Sequence, residues 1–169
     1  MKFRHAFAAL SLILATSAFA ADPALKQLDT FAHTWQCSGT MTIDGPPIHY
    51  TATVTGTWVL GGNWLDVRVT QARTKENPKP YNGRAYIGYD AAAKKFVMSW
   101  IDITGGYQSA EFTGWQGDTL VWEGMAHMGP ITAMGRDTFT RSGAKKLTHT
   151  FELQQSGKWI EQMKESCTR

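Results

Sequence analysis

Titratable and soft side chains alternate with large apolar ones in several stretches of this 169-residue sequence. In "KFVMSWIDIT", Phe96, Met98, Trp100 and Asp102 share one parity. In "NWLDVRVTQ", Trp64, Asp66, Arg68 and Thr70 share one parity, and Leu65, Val67 and Val69 share the other. "DTLVWEGMAH" groups Val121, Glu123, Met125 and His127, and "KWIEQMKESC" groups Trp159, Glu161, Met163, Glu165 and Cys167. An extended chain sends alternate side chains to opposite faces. A charge on a face that closes over an interior must be paired or must meet a ligand. Trp64, Arg68, Trp100, Asp102, Glu123, Arg136 and Glu161 are therefore the candidate lining of an interior ligand site, the solvent-facing outer wall being the alternative for each. The chemistry they offer is recognition of a small, largely apolar molecule with a polar group.

Other chemistries find less support. In "GMAHMGPITAM", Met125 and His127 share a face, with Met128 and Met134 near. Thioether and imidazole ligands suit copper(I), but methionine is also ordinary core filler, so these two are only weak metal candidates and no metal is assigned. The histidines show no helical i,i+4 pair, and there is no C-x-x-C, so a zinc site is unsupported. Neither a G-x-S-x-G elbow nor a G-x-x-x-x-G-K phosphate loop occurs. No catalytic residue and no cofactor is assigned. The sequence has no run of like charge to suggest a nucleic-acid or polybasic membrane surface.

The beginning reads as an export signal. Lys2 and Arg4 precede an apolar run from about Ala6 to Phe19, and Ala18-Phe19-Ala20 supplies the small-x-small cleavage pattern. Residues 1–20 are expected to be a removed signal peptide, which places the protein in the periplasm or outside the cell. The run is short for a spanning helix, and no later stretch resembles one. In an oxidising compartment the only two cysteines, Cys37 and Cys167, are expected to pair.

The elements that must position these residues follow from pattern. Residues 21–34 read as a short N-terminal helix: Leu25, Leu28, Phe31 and Ala32 make one apolar stripe, Asp22 can cap it, and Pro23 suits its first position. From Trp35 onward, β-branched and aromatic residues alternate with polar ones. Strands are expected near 35–43, 48–59, 63–73, 83–90, 95–104, 107–115, 118–127, 131–141, 146–155 and 158–167. "DGPP", "LGGN" and "WQGDT" supply the turn chemistry between them, Asp90 can fold back on its own turn, and "TKENPKPYNG" reads as a surface loop. The fold class is all-β: one domain over 35–169, built as a closed antiparallel up-and-down barrel of about ten strands, with a two-sheet sandwich as the alternative. Closure removes the exposed edges of an open sheet. With an even strand number, the first and last strands can pair, so a Cys37–Cys167 bridge would staple the seam. A barrel of about ten strands is wide enough to leave a cavity.

The ordered segments "TGTWVLGGNWLDVRV", "AYIGYDAAAKKFVMSWID" and "GDTLVWEG" resemble a bacterial family catalogued as domain of unknown function 1579, over about Phe31 to Arg169. The resemblance is carried by Gly39-Thr40-Met41, Leu60-Gly61-Gly62, Gly88-Tyr89-Asp90 and the pair Trp100 and Asp102. It implies a lipocalin-like (calycin) barrel and no catalytic residue. The cysteine pair and "MAHMGPITAMG" depart from the family pattern. Three function classes follow: a barrel binding a small apolar ligand, an enzyme using Asp102, Glu123 or Glu161 on a small lipophilic substrate, and an interaction module with a filled barrel whose outer wall or loop 74–82 meets a partner.

Overall fold

The computed structural model describes residues 21–42 and 45–169. The signal expected over 1–20 lies outside the described residues, as do positions 43 and 44 of the first turn. Ten strands form one antiparallel sheet: β1 Thr34–Met41, β2 Ile48–Val59, β3 Trp64–Gln71, β4 Asn82–Asp90, β5 Lys95–Asp102, β6 Tyr107–Phe112, β7 Thr119–Met128, β8 Ile131–Arg141, β9 Lys146–Gln155 and β10 Lys158–Thr168. Each pairs with its neighbours in sequence, and β1 pairs with β10, so the sheet is a closed barrel. Closure excludes the sandwich. It also leaves no sheet edge among the described strands to seek another chain.

The seam lies in register. Cys37 stands directly opposite Cys167, with Cα atoms 4.0 Å apart, and the two form a disulfide. The turns expected at "LGGN" and at Asp90 form as read. Gly61 and Gly62 adopt positive φ, and the Asp90 carboxylate accepts from the Ala92 and Ala93 amides at 2.9 and 3.0 Å.

The expected N-terminal helix is instead a six-residue 3-10 turn, Pro23–Leu28, whose Asp22 side chain accepts from the Ala24 amide at 2.8 Å. Leu25, Leu28 and Phe31 recur every three residues, a spacing that suits the 3-10 repeat as well as an α-helical stripe. All three are buried. They plug the end of the barrel where β1 begins. Phe31 packs on Trp115, Trp122 and Phe139 at ring separations of 5.8, 6.3 and 5.1 Å. The Trp115 indole donates to the Gln27 carbonyl at 2.8 Å, tying the plug to the loop after β6. Leu28, Leu65, Ile87, Phe96 and Leu120 pack this half solidly.

The opposite end is less completely filled. Gly83 on β4 stands opposite Asp102 on β5. A Cβ there would overlap the Trp100 ring, so the glycine lets that indole lie flat across the wall. The segment read as a surface loop is folded over this end. Asn77, at its centre, is 1 % exposed. Its side chain donates to Gln71 Oε1 at 2.9 Å, and the same oxygen accepts from the Tyr81 amide at 2.9 Å. The loop therefore places Tyr81 inside the rim.

Candidate functional site

Between the plug and the rim lies a cavity of about 160 Å³. Most of its lining is apolar, with Trp35, Val67, Ile87, Met98, Trp122 and Phe139 among the contributors. Two groupings built around carboxylates interrupt it.

The first sits at the rim. The Tyr81 hydroxyl donates to Asp102 Oδ2 at 2.7 Å and accepts from Trp100 Nε1 at 3.0 Å. Asp102 Oδ1 accepts from the Thr104 amide and hydroxyl at 2.8 and 2.6 Å and from the Gly106 amide at 3.1 Å. Burial alone would raise the Asp102 pKa, but these bonds outweigh it and hold the carboxyl below its ordinary value. Burial and the Asp102 charge push the Tyr81 phenol well above its ordinary range.

The second crosses β2, β8, β9 and β10. His149 Nε2 meets Asp137 Oδ1 at 2.8 Å, and His149 Nδ1 meets Glu165 Oε1 at 3.1 Å. The other Glu165 oxygen accepts from the Tyr50 hydroxyl at 2.8 Å. The Phe139 ring stacks on the imidazole, 4.1 Å between centroids and 11° from parallel. Burial would lower the His149 pKa, but the two carboxylates prevail and hold it at about 9. At neutral pH the ring is an imidazolium held between two acidic side chains. Tyr50 is pushed far above the ordinary phenol range by burial and by Glu165, so it remains a donor.

This raised value makes stability depend on pH. The ordinary histidine value is 6.5 and the folded value about 9. The contribution is fully present below the unfolded value and is lost as pH rises through the folded one. The difference corresponds to roughly 3 kcal/mol. Urea unfolding between about pH 6 and about pH 10 should show this decline, and a His149→Gln chain should lack it. An identical pH profile in the two chains would remove the imidazolium from the account.

Of the sequence-predicted residues, Trp100 and Asp102 line the cavity. The other five face outward. The β3 strand turns Leu65 and Val67 inward, which places Trp64, Asp66 and Arg68 on the wall. Trp64 packs over Gly88 there. Asp66 is nonetheless 1 % exposed, covered by Arg84 at 2.6 Å and Arg68 at 3.1 Å. Arg136 bonds Glu152 at 2.8 Å and lies 4.3 Å over the Trp159 ring. Glu123 stands opposite Arg136 on the same outer face. Glu161 fails for a different reason. A bulge between Glu161 and Met163 breaks the alternation of β10. Met163, Glu165 and Cys167 point inward, and Trp159 and Glu161 do not.

The weak metal pair is separated from its neighbour Met128. Met125 is exposed on the outer wall, and Met128 lines the cavity. His127, at the rim, bonds Thr132 at 3.1 Å and stacks on Tyr107. Among the described residues, the cluster with metal-ligand types is Cys37, Glu165 and Cys167, and both sulfurs belong to the disulfide.

Sequence reasoning missed Tyr50, Tyr81, Asp137 and His149 as interior residues. Parity held a signal for two of them. His149 alternates with Leu147, Phe151 and Leu153, and Asp137 with Phe139. Asp137 Oδ2, Gln108 Nε2 and Trp122 Nε1 are buried, belong to lining residues, and have no hydrogen-bond partner among the described residues.

Comparison with known proteins returns no curated relative. The crystal structure of Rv2717c from M. tuberculosis superposes with a TM-score of 0.68. The match covers 89 % of this chain and 99 % of that one at 15 % identity, a likeness of fold. The profile of the family described as "Protein of unknown function (DUF1579)" matches residues 22–169.

Proposed function

The chain belongs to the DUF1579 family, and from that premise we propose that it is an exported, lipocalin-like barrel that binds one small, largely apolar molecule in its interior. The observation that carries this reading is the cavity of about 160 Å³, closed at one end by Leu25, Leu28 and Phe31. An apolar cavity of about 150 Å³ can take up benzene, so the volume suits a ligand built on a single ring. The aromatic lining supplies the apolar contact, and the two polar groupings supply orientation. The Cys37–Cys167 disulfide supports export. No helix among the described residues is long and apolar enough to cross a membrane. Acid–base catalysis at His149 has less support, because both ring nitrogens are already engaged by carboxylates.

The methionines provide the test. Met98 and Met163 line the cavity, and Met125 lies outside on the wall. Toluene added to the full chain should shift the methyl resonances of the first two and leave Met125 unmoved. Cavity methyls that stay unmoved at saturating toluene, benzyl alcohol and benzylamine alike would end the proposal.

A further inference from the structure

Resting on the interior-binding reading, we propose that the ligand is a small hydrophobic amine whose ammonium group is held by Asp137 Oδ2. Among the described residues, three carboxylates line the cavity, Asp102, Asp137 and Glu165, and no lysine or arginine does. Asp102 is satisfied on both oxygens by Tyr81, Thr104 and Gly106. Glu165 is satisfied on both by Tyr50 and His149. Asp137 is engaged on Oδ1 alone, although the residue is only 7 % exposed. A buried carboxylate oxygen without a donor is expensive, and hydrogen bonds to charged groups are the stronger kind.

Charge selects among donors. The imidazolium of His149 sits between Asp137 and Glu165, so one of its two anionic partners stays uncompensated. A hydroxyl group would fill the hydrogen-bonding vacancy at Oδ2 and leave that charge unanswered. An ammonium answers both. A quaternary cation would bring charge without an N–H. The surroundings favour a protonated primary or secondary amine in two further ways. Gln108 Nε2 is also unpartnered and rests over Gly135, one inward position along β8 from Asp137. Its amide can turn its oxygen to a second N–H. Trp122 stands directly opposite Asp137 in register, and Trp35, Trp100 and Phe139 line the same cavity, so the interior offers aromatic faces to a cation. A Cβ at Gly135 would meet the end of the Gln108 amide and displace it. Cavity volume then limits the body of the ligand to about one ring.

Toluene, benzyl alcohol and benzylamine form a series of nearly constant shape for titration against the full chain at neutral pH, read on the Met98 and Met163 methyls. Benzylamine should bind about tenfold or more tightly than benzyl alcohol. Asp137→Asn should remove about that factor for benzylamine while leaving toluene binding within about twofold. Equal binding of the alcohol and the amine overturns the inference and leaves the interior-binding reading standing. Retention of amine selectivity in a folded Asp137→Asn chain overturns the assignment to Oδ2. Failure of all three compounds overturns the reading and the inference together. Should the variant not fold, the series on the unaltered chain decides between amine and alcohol.

Discussion

His149→Ala should cost the barrel about 3–5 kcal/mol in unfolding free energy at neutral pH, the loss typical of removing one partner from a buried ion cluster. The imidazolium bonds both Asp137 and Glu165 inside the wall, at 2.8 and 3.1 Å from its two nitrogens. Alanine leaves two like charges facing a gap, one of them still receiving the Tyr50 hydroxyl. It also removes the ring stacked on Phe139. Adding Asp137→Asn and Glu165→Gln to the alanine chain should recover a good part of the loss, because the charges that lacked compensation are then gone. Non-additivity of that kind separates a charge cluster from simple loss of volume. Urea unfolding of the native chain, His149→Ala, the Asp137→Asn/Glu165→Gln chain and the triple variant measures it. A loss under about 1 kcal/mol for His149→Ala would mean that water reaches the cluster and screens it.

The legible parts of this molecule were those carried by local pattern. Alternation along "KFVMSWID" identified the inward face of β5 correctly, and Trp100 and Asp102 line the cavity because of it. The same logic placed the polar face of β3 inside, since a mixed row of Trp64, Asp66 and Arg68 resembles a binding face as much as an outer wall. What decides between them is the partner row, and Arg84 comes from the next strand. Parity cannot register a bulge, so Glu161 was grouped with Met163 although the chain slips between them. His149 and Glu165 are 16 residues apart and Tyr50 is 115 residues from Glu165. Only the closed register brings them together. One further clue was available: Glu165 shares its face with Cys167, which must point inward to bridge Cys37. Three-residue spacing fits a 3-10 turn and an α-helical stripe alike, so the pattern alone does not separate the plug from a helix.

Cys37→Ala combined with Cys167→Ala should lower the unfolding free energy by up to about 5 kcal/mol while leaving the barrel closed. The bridge joins residues 130 positions apart. On the chain-entropy model, a link of that span acts chiefly by restricting the unfolded chain, and its effect grows only slowly with loop length. The folded seam has its own support. From Gln36 opposite Thr168 to Met41 opposite Met163, β1 and β10 are paired through an antiparallel ladder, and the cysteines occupy one row of it. Contacts across the seam, observed as nuclear Overhauser effects, should therefore persist in the double alanine chain and in the reduced native chain alike. The midpoint in urea should fall in both. Removing the two sulfurs also enlarges the cavity beside Glu165, because both cysteines line it, so toluene should still enter. Two results would contradict this account in different ways. Loss of the cross-seam contacts would mean that the disulfide, and not the strand pairing, closes the barrel. A change in stability under about 1 kcal/mol would mean that the unfolded chain gains little freedom when the ends are released.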